Sequence, residues 1–365
     1  MSEAIPSSLT VYLSNLCNLA CAHCYVAVNQ GPAAAIDAAR LREGLDYFLA
    51  RATLGERKIS FLGGEPLLHY PLLRRAVERI RTEAAEEIPV HVFTNGLLLD
   101  GERISFFRSR GVDVTVGFAG GAVRMPAAVR SALRTRAGRL GASVVVTRAS
   151  VGELLGDVDR LYRAGFRRIA FAPDVGALWT ARDAARLRAA LNGFRRYYRA
   201  LIQGGAQPFE VANIYEALAE ALDRREEGSS PCDRLILAAD GRFYACDKIF
   251  GAPFETIARW SVGSPREGLD GPRRRAFIRE AEDAARDALG ARAEAGCPAG
   301  AFSIWRIGAD RSAERLRERM RSFGAVSGLL RSCLLDVARE HKENKAFRKT
   351  HHLEPDAGEN RPWKA

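Results

Sequence analysis

Three cysteines, Cys17, Cys21 and Cys24, fall within eight residues near the start of a 365-residue chain. Their CxxxCxxC spacing brings three thiolates onto one short loop, and thiolate sulfur is the usual protein ligand of iron–sulfur clusters. Three such ligands leave one iron of a cubic 4Fe–4S cluster without a protein donor. That open iron can bind a substrate or cofactor and pass it an electron. The competing chemistry is a zinc knot completed by His23 or by a distant residue. Four more cysteines follow at positions 232, 246, 297 and 333, and an odd total of seven argues against a disulfide framework.

The triad needs a scaffold, and the pattern of the first two-thirds supplies one. Short β-branched or apolar runs alternate with helical patterns: Ser8–Ser14, Lys58–Leu62, Pro89–Thr94, Val112–Phe118, Ser143–Thr147 and Arg168–Phe171 read as strands. The intervening helices are expected over Ile36–Leu54, Leu72–Ala84, Ile104–Arg110, Ala128–Arg139, Val151–Ala164 and Ala181–Leu201. Six βα units predict an α/β fold, a parallel sheet covered by helices, with functional groups in the loops at the strands' C-terminal ends. The cysteine triad follows the first strand, Gly63-Gly64-Glu65-Pro66 follows the second, and Thr94-Asn95-Gly96 ends the third. Paired glycines permit a close approach to backbone, and a glutamate can accept from an ammonium group.

In this order and on successive strand ends, these motifs resemble the radical S-adenosylmethionine (SAM) superfamily over roughly Leu9 to Phe171. The resemblance implies a partial (β/α)6 TIM-like barrel. It also implies a 4Fe–4S cluster on Cys17, Cys21 and Cys24, whose open iron chelates SAM through its amino and carboxylate groups. His23 sits where the family is commonly aromatic. Gly63, Gly64, Glu65 and Pro66 match the glycine motif that contacts the SAM amino group, and Thr94 and Asn95 match the third-strand turn. One departure is visible: where relatives carry Ser-x-Asp-Gly after the fourth strand, this chain has Gly117-Phe118-Ala119-Gly120. Arg148, just after the fifth strand, is the expected substitute for the SAM carboxylate contact.

Beyond a linker-like stretch near Glu227, a hairpin is expected from Leu235–Ala239 and Arg242–Ala245 around Asp240-Gly241. Cys232, Cys246-Asp247, Ser261-Val262-Gly263 and Cys297 resemble the auxiliary-cluster extension called SPASM or, when shorter, twitch. That resemblance implies one auxiliary iron–sulfur cluster on Cys232, Cys246 and Cys297. Cys333 is either its fourth ligand or a buried helix cysteine among Leu329, Leu330, Leu334 and Leu335. The expected division is 1–227 for the barrel, 228–310 for the auxiliary-cluster domain and 311–365 for a basic helical extension with a loose end. No catalytic acid or base is singled out, although Asp174, Asp247 and Tyr244 lie near the relevant loops.

Net charge is +11, but no run of like charge or aromatic interleaving marks a nucleic-acid binder, so nucleic acid is not expected as a partner. No secretory signal and no long apolar run are visible, so the protein is expected in the cytoplasm and off the membrane. The resemblance implies cleavage of SAM to a 5′-deoxyadenosyl radical that attacks a ribosomally made peptide. An electron donor such as flavodoxin or ferredoxin would feed it. The alternative is oxidation or rearrangement of a small molecule such as a sugar, amino acid or cofactor precursor. A non-catalytic, metal-stabilised nucleic-acid regulator would leave the glycine motif without a purpose.

Overall fold

The alternation of apolar runs and amphipathic helices becomes, in a computed structural model of the chain, one nine-stranded sheet with helices packed against it. The structure describes residues 5–26, 34–51, 53, 56–121, 123–135, 139–215, 218, 234–290 and 298–353. Strands β1 (Ser8–Tyr12), β2 (Lys58–Leu62), β3 (Val90–Thr94), β4 (Val112–Ala119), β5 (Arg139–Val146) and β6 (Arg168–Pro173) lie in sequence order, every neighbour parallel. The connecting helices are α1 (Ala38–Leu49), α2 (Tyr70–Glu83), α3 (Gly101–Ser109), α4 (Ala127–Thr135), α5 (Leu154–Ala164) and α6 (Ala181–Gln203). This is the expected partial barrel: the described strands run from edge to edge without closing.

Local chemistry explains where the helices begin. Asp37 and Asp100 accept from backbone N–H groups of α1 and α3, and Thr180 and Asp183 form a reciprocal capping box at α6. The helix expected from Ile36 therefore starts two residues later, behind the extended Asp37 cap, while the Ile36 N–H pairs with Leu13 O. Strand β5 starts earlier than the expected Ser143. Arg139 pairs with Asp113 on β4, in register and in a 2.7 Å ion pair, and this holds the polar start of the strand in the ladder.

The C-terminal hairpin does not stand apart. Its first strand, β8 (Arg234–Leu237), pairs in parallel with β1, and β9 (Phe243–Tyr244) pairs antiparallel to β8. Leu235, Ile236 and Leu237 are all fully buried, as a strand covered on both faces must be. At the opposite edge β7 (Glu210–Val211) pairs with β6. The sheet order is thus β7-β6-β5-β4-β3-β2-β1-β8-β9, with β1 in its interior.

Beyond Asp270 the described helices are α7 (Gly271–Leu289), α8 (Pro298–Ile307), α9 (Ala313–His341) and α10 (Lys345–Thr350). The long α9 packs along α7 and α6. His351, fully buried just past α10, accepts the Val211 N–H at 3.1 Å through Nε2 while its Nδ1 lies 3.0 Å from Phe347 O. The extension thereby closes the exposed edge of β7. No helix among the described residues is long and apolar enough to cross a membrane. The linker near Glu227, Cys232, Cys297 and the last dozen residues lie outside the described residues.

Candidate functional site

The cysteine loop leaves β1 and is seated on the ends of β2 and β3. Glu65 N–H donates to Leu16 O (2.8 Å) and Gly64 N–H to Ser14 O (2.9 Å). A Cβ on Gly64 would lie 2.0 Å from Leu16 O, and one on Gly63, whose φ is +147°, would lie 2.8 Å from Ser14 O. The paired glycines were expected to admit a ligand; in the structure they admit the backbone of the cysteine loop itself.

Glu65 is 1% exposed and both its oxygens are used by the protein. Oε1 accepts from the Thr94 hydroxyl (2.7 Å) and Leu67 N–H (3.0 Å), and Oε2 accepts from Asn95 N–H (2.8 Å). Burial pushes its carboxyl pKa up, and these three donors pull against that shift. Pro66 opens the following 3₁₀ turn, where its missing N–H costs nothing. Asn95 then reaches across to Asn18, between Cys17 and Cys21, with Nδ2 to Oδ1 at 2.7 Å. Sequence reasoning missed Asn18 and assigned Glu65 to an ammonium group. In the structure the Glu65 carboxylate joins the loops after β2 and β3, and its N–H ties them to the cysteine loop.

Cys17 and Cys21 are half-buried and Cys24 is exposed, with Cys24 N–H donating to Cys21 O at 3.0 Å. Burial pushes the Cys17 thiol up, and Glu65, Cys24 and Cys21 raise it further against the pull of Leu19 N–H. Cys21 and Cys24 lie close enough to Cys17 to oppose its ionisation, the electrostatic state that a bound cationic metal centre relieves. Three thiolates on one loop are the donor chemistry of a cubane, whose protein ligands are spread over three irons, so the donor set fits a cluster. Burial lowers the pKa of His23, offered as the knot's fourth ligand, and the charge of Asp174, just beyond β6, opposes that.

Arg148 is engaged by Asp183 at 2.6 Å, with Arg186 donating to its carbonyl, so it is anchored to the start of α6. At Gly117, the position that matches the absent serine, a Cβ would meet only Thr94 O at 3.8 Å, so nothing bars a side chain there. The close approach is at Gly120, where a Cβ would lie 2.6 Å from Ser150 Oγ and 2.9 Å from Val145 O. The hydroxyl in this region is Ser150, bonded to Thr147 N–H at 2.9 Å. Helix α9 covers the β6 end: Trp179 N–H donates to Ser322 Oγ (2.6 Å) and Arg319 to Gly176 O (3.1 Å).

Cys246 is buried at the start of a 3₁₀ turn, Asp247–Gly251. Helix α8, which Cys297 immediately precedes in sequence, packs on that turn. A Cβ on Gly251 would meet Ile307 Cδ1 at 2.7 Å and Tyr25 O at 3.0 Å, so three segments meet there. Cys333 lies elsewhere, on α9 facing α6. Its thiol donates to Leu191 O at 3.6 Å, and burial pushes its pKa up to about 12. That is the packing of a core cysteine, the second of the two roles open to it.

The comparisons with known proteins agree with this geometry. Residues 11–140 match the model of the Radical SAM superfamily, a family whose cofactors are a 4Fe–4S cluster and SAM. The chain is 26% identical to the serine-type anaerobic sulfatase-maturating enzyme of Klebsiella aerogenes over 265 residues, 65% of each protein's length. In fold it is similar to polyhistidine-tagged anSMEcpe with bound AdoMet (TM-score 0.68, 18% identity, 95% of this chain and 99% of that one). It is similar too to native anSMEcpe with bound AdoMet and Cp18Cys peptide (TM-score 0.65, 17% identity, 91% of this chain and 99% of that one).

Proposed function

We propose that the protein is a radical SAM enzyme that modifies a ribosomally made peptide in the cytoplasm. The observation that carries the peptide reading is the extent of the likeness. It runs through the barrel into the C-terminal helices and includes a structure holding a peptide.

In this reading Cys17, Cys21 and Cys24 hold the cluster, and when bound the cluster and SAM supply a 5′-deoxyadenosyl radical that removes a hydrogen atom from an unactivated C–H bond. The protein's own work is positional. Gly63, Gly64, Glu65 and Pro66 fix the loop that carries the thiolates, while Thr94 and Asn95 form the adjoining wall against SAM. Arg148, held to Asp183 through Nε, offers its remaining guanidinium N–H groups to the SAM carboxylate. Trp179, Ser322 and Arg319 cover the far side of the mouth and keep water from the reacting centre. Cys232, Cys246 and Cys297 hold an auxiliary cluster with an iron left open. Residues 1–227, 228–310 and 311–365 then act as barrel, auxiliary region and closing extension. Electrons arrive from a donor such as flavodoxin or ferredoxin.

The test is 5′-deoxyadenosine formation from SAM under anoxic, reducing conditions, comparing reconstituted protein with Cys21→Ala. A small acidic peptide encoded beside the gene should raise that formation and change in mass. Production that vanishes in the variant supports the reading; none from protein shown to carry iron and sulfide ends it. Production that no peptide stimulates, but a sugar or amino acid does, replaces the peptide with a small molecule.

A further inference from the structure

The residues that directly follow Cys24 and Cys246 meet in a largely buried hydrogen-bonded cluster. Asp247 is 5% exposed, and its Oδ2 accepts from the hydroxyls of Tyr25 (2.8 Å) and Tyr12 (2.9 Å). Those hydroxyl oxygens are 2.6 Å apart. Lys248 Nζ donates to Oδ1 at 3.0 Å and Oδ2 at 2.9 Å, and sits 3.7 Å over the Tyr25 ring. Tyr12, the last residue of β1, is fully buried against Phe250 at 4.5 Å between ring centroids.

An ion pair with a buried carboxylate and a half-buried ammonium adds little net stability, so its value here is in fixing geometry. What it fixes is the relation of two segments 222 residues apart, Tyr25 and Asp247. An apolar contact would tolerate sliding. Two hydroxyls aimed at one carboxylate oxygen, with an ammonium clamped on both oxygens, admit only one arrangement. Tyr25 is covalently next to Cys24, and Asp247 is next to Cys246.

We propose that Tyr25 and Asp247 are positioning residues that set the cysteine triad from the C-terminal region, coupling the geometry of the triad loop to that of the Cys246 turn. Lys248 holds Asp247 in its accepting orientation, and Tyr12 extends the contact into β1. The barrel alone therefore supplies only part of the triad's seat. The coupling to a second metal site rests on the reading of Cys246 as a cluster ligand; the seating of the triad does not.

The test uses the full reconstituted chain and its Tyr25→Phe and Asp247→Asn variants, with melting curves to show that each folds. Amide hydrogen exchange over residues 17–26 should quicken by roughly tenfold or more in both variants, since each loses hydrogen bonds to a charged group. The electron paramagnetic resonance spectrum of the reduced, SAM-bound triad cluster should change, which a merely structural role elsewhere would not produce. Unchanged exchange and an unchanged spectrum in a folded Tyr25→Phe protein would overturn the proposal. Should Asp247→Asn fail to fold, Tyr25→Phe decides alone. Faster exchange in protein that makes no 5′-deoxyadenosine keeps the positioning role and ends the radical reading separately.

Discussion

Two seams of this molecule are closed by carboxylates, and they use them in opposite ways. At the mouth, one glutamate at 1% exposure accepts from Thr94, Asn95 and Leu67 and so joins the loops after β2 and β3 beneath the cysteines. Along the outside of the barrel, α9 meets α6 through Arg195 and Arg199 on Glu340, with Arg195 also on Asp336 at 2.9 Å. Those groups are partly exposed and share their charge with water. The buried acceptor is expensive to remove because its donors have nowhere else to turn. The surface network is a set of replaceable contacts. Precision is therefore concentrated at the mouth and tolerance at the back.

The comparison breaks first at Glu65. Glu65→Ala orphans three donors and should destabilise the fold by about 3 kcal/mol or more. Iron retention after reconstitution should fall with it, measured by melting and by metal analysis. A melt within about 0.5 kcal/mol of wild type would show that the mouth is as tolerant as the back.

His351 sharpens the contrast, because it is a buried polar contact within the otherwise forgiving extension. Burial lowers its pKa from 6.5 to about 4, mainly because a charged imidazole there would be desolvated. A depressed histidine pKa means that the unfolded chain binds the proton more readily. Its stabilising effect is full above about pH 6.5 and is lost as pH falls toward 4. At pH 5 the loss from this one group is about 2 kcal/mol. His91, lowered to about 3 by burial and by Arg168, Arg139 and Lys58, adds to the slope. His351→Gln should flatten the decline between pH 7 and 5 without abolishing it, as denaturant titrations at several pH values would show. An unchanged slope would mean that the β7 edge does not depend on this imidazole.

The smallest effect is expected at the back. Glu340→Ala should cost about 0–1 kcal/mol, and less at high salt. A loss comparable to that of Glu65→Ala would erase the distinction between the seams.

Much of this was legible in the sequence because period and punctuation agree along the barrel. Lys58–Leu62 is a strand with the expected bounds, and the three strand-end motifs do converge. What stayed hidden depends on long-range partners. The run Leu235–Leu237 is apolar without alternation, the signature of a strand buried on both faces, yet pairing with β1 cannot be read from it. Tyr12, Tyr25 and Lys248 carried no motif, since a hydroxyl or ammonium takes meaning only from the carboxylate it meets. Helix α7 did offer a signal in Asp270-Gly271-Pro272: Asp270 caps Arg273 N–H and proline stands in the first turn. The two-residue β7 is too short for any periodicity to show.

The place of β1 has a consequence for the order in which the protein can be made. β1 leaves the ribosome ahead of the other eight strands, but its second neighbour, β8, ends at Leu237. At ~5–20 residues per second, β1 waits roughly 10–45 s for that partner. For all that time one edge of the strand carrying the cysteine loop has unmet N–H and C=O groups. Assembly of the metal site on that loop thus belongs after translation of the barrel, and a nascent chain stalled before β8 should be a poor acceptor of iron.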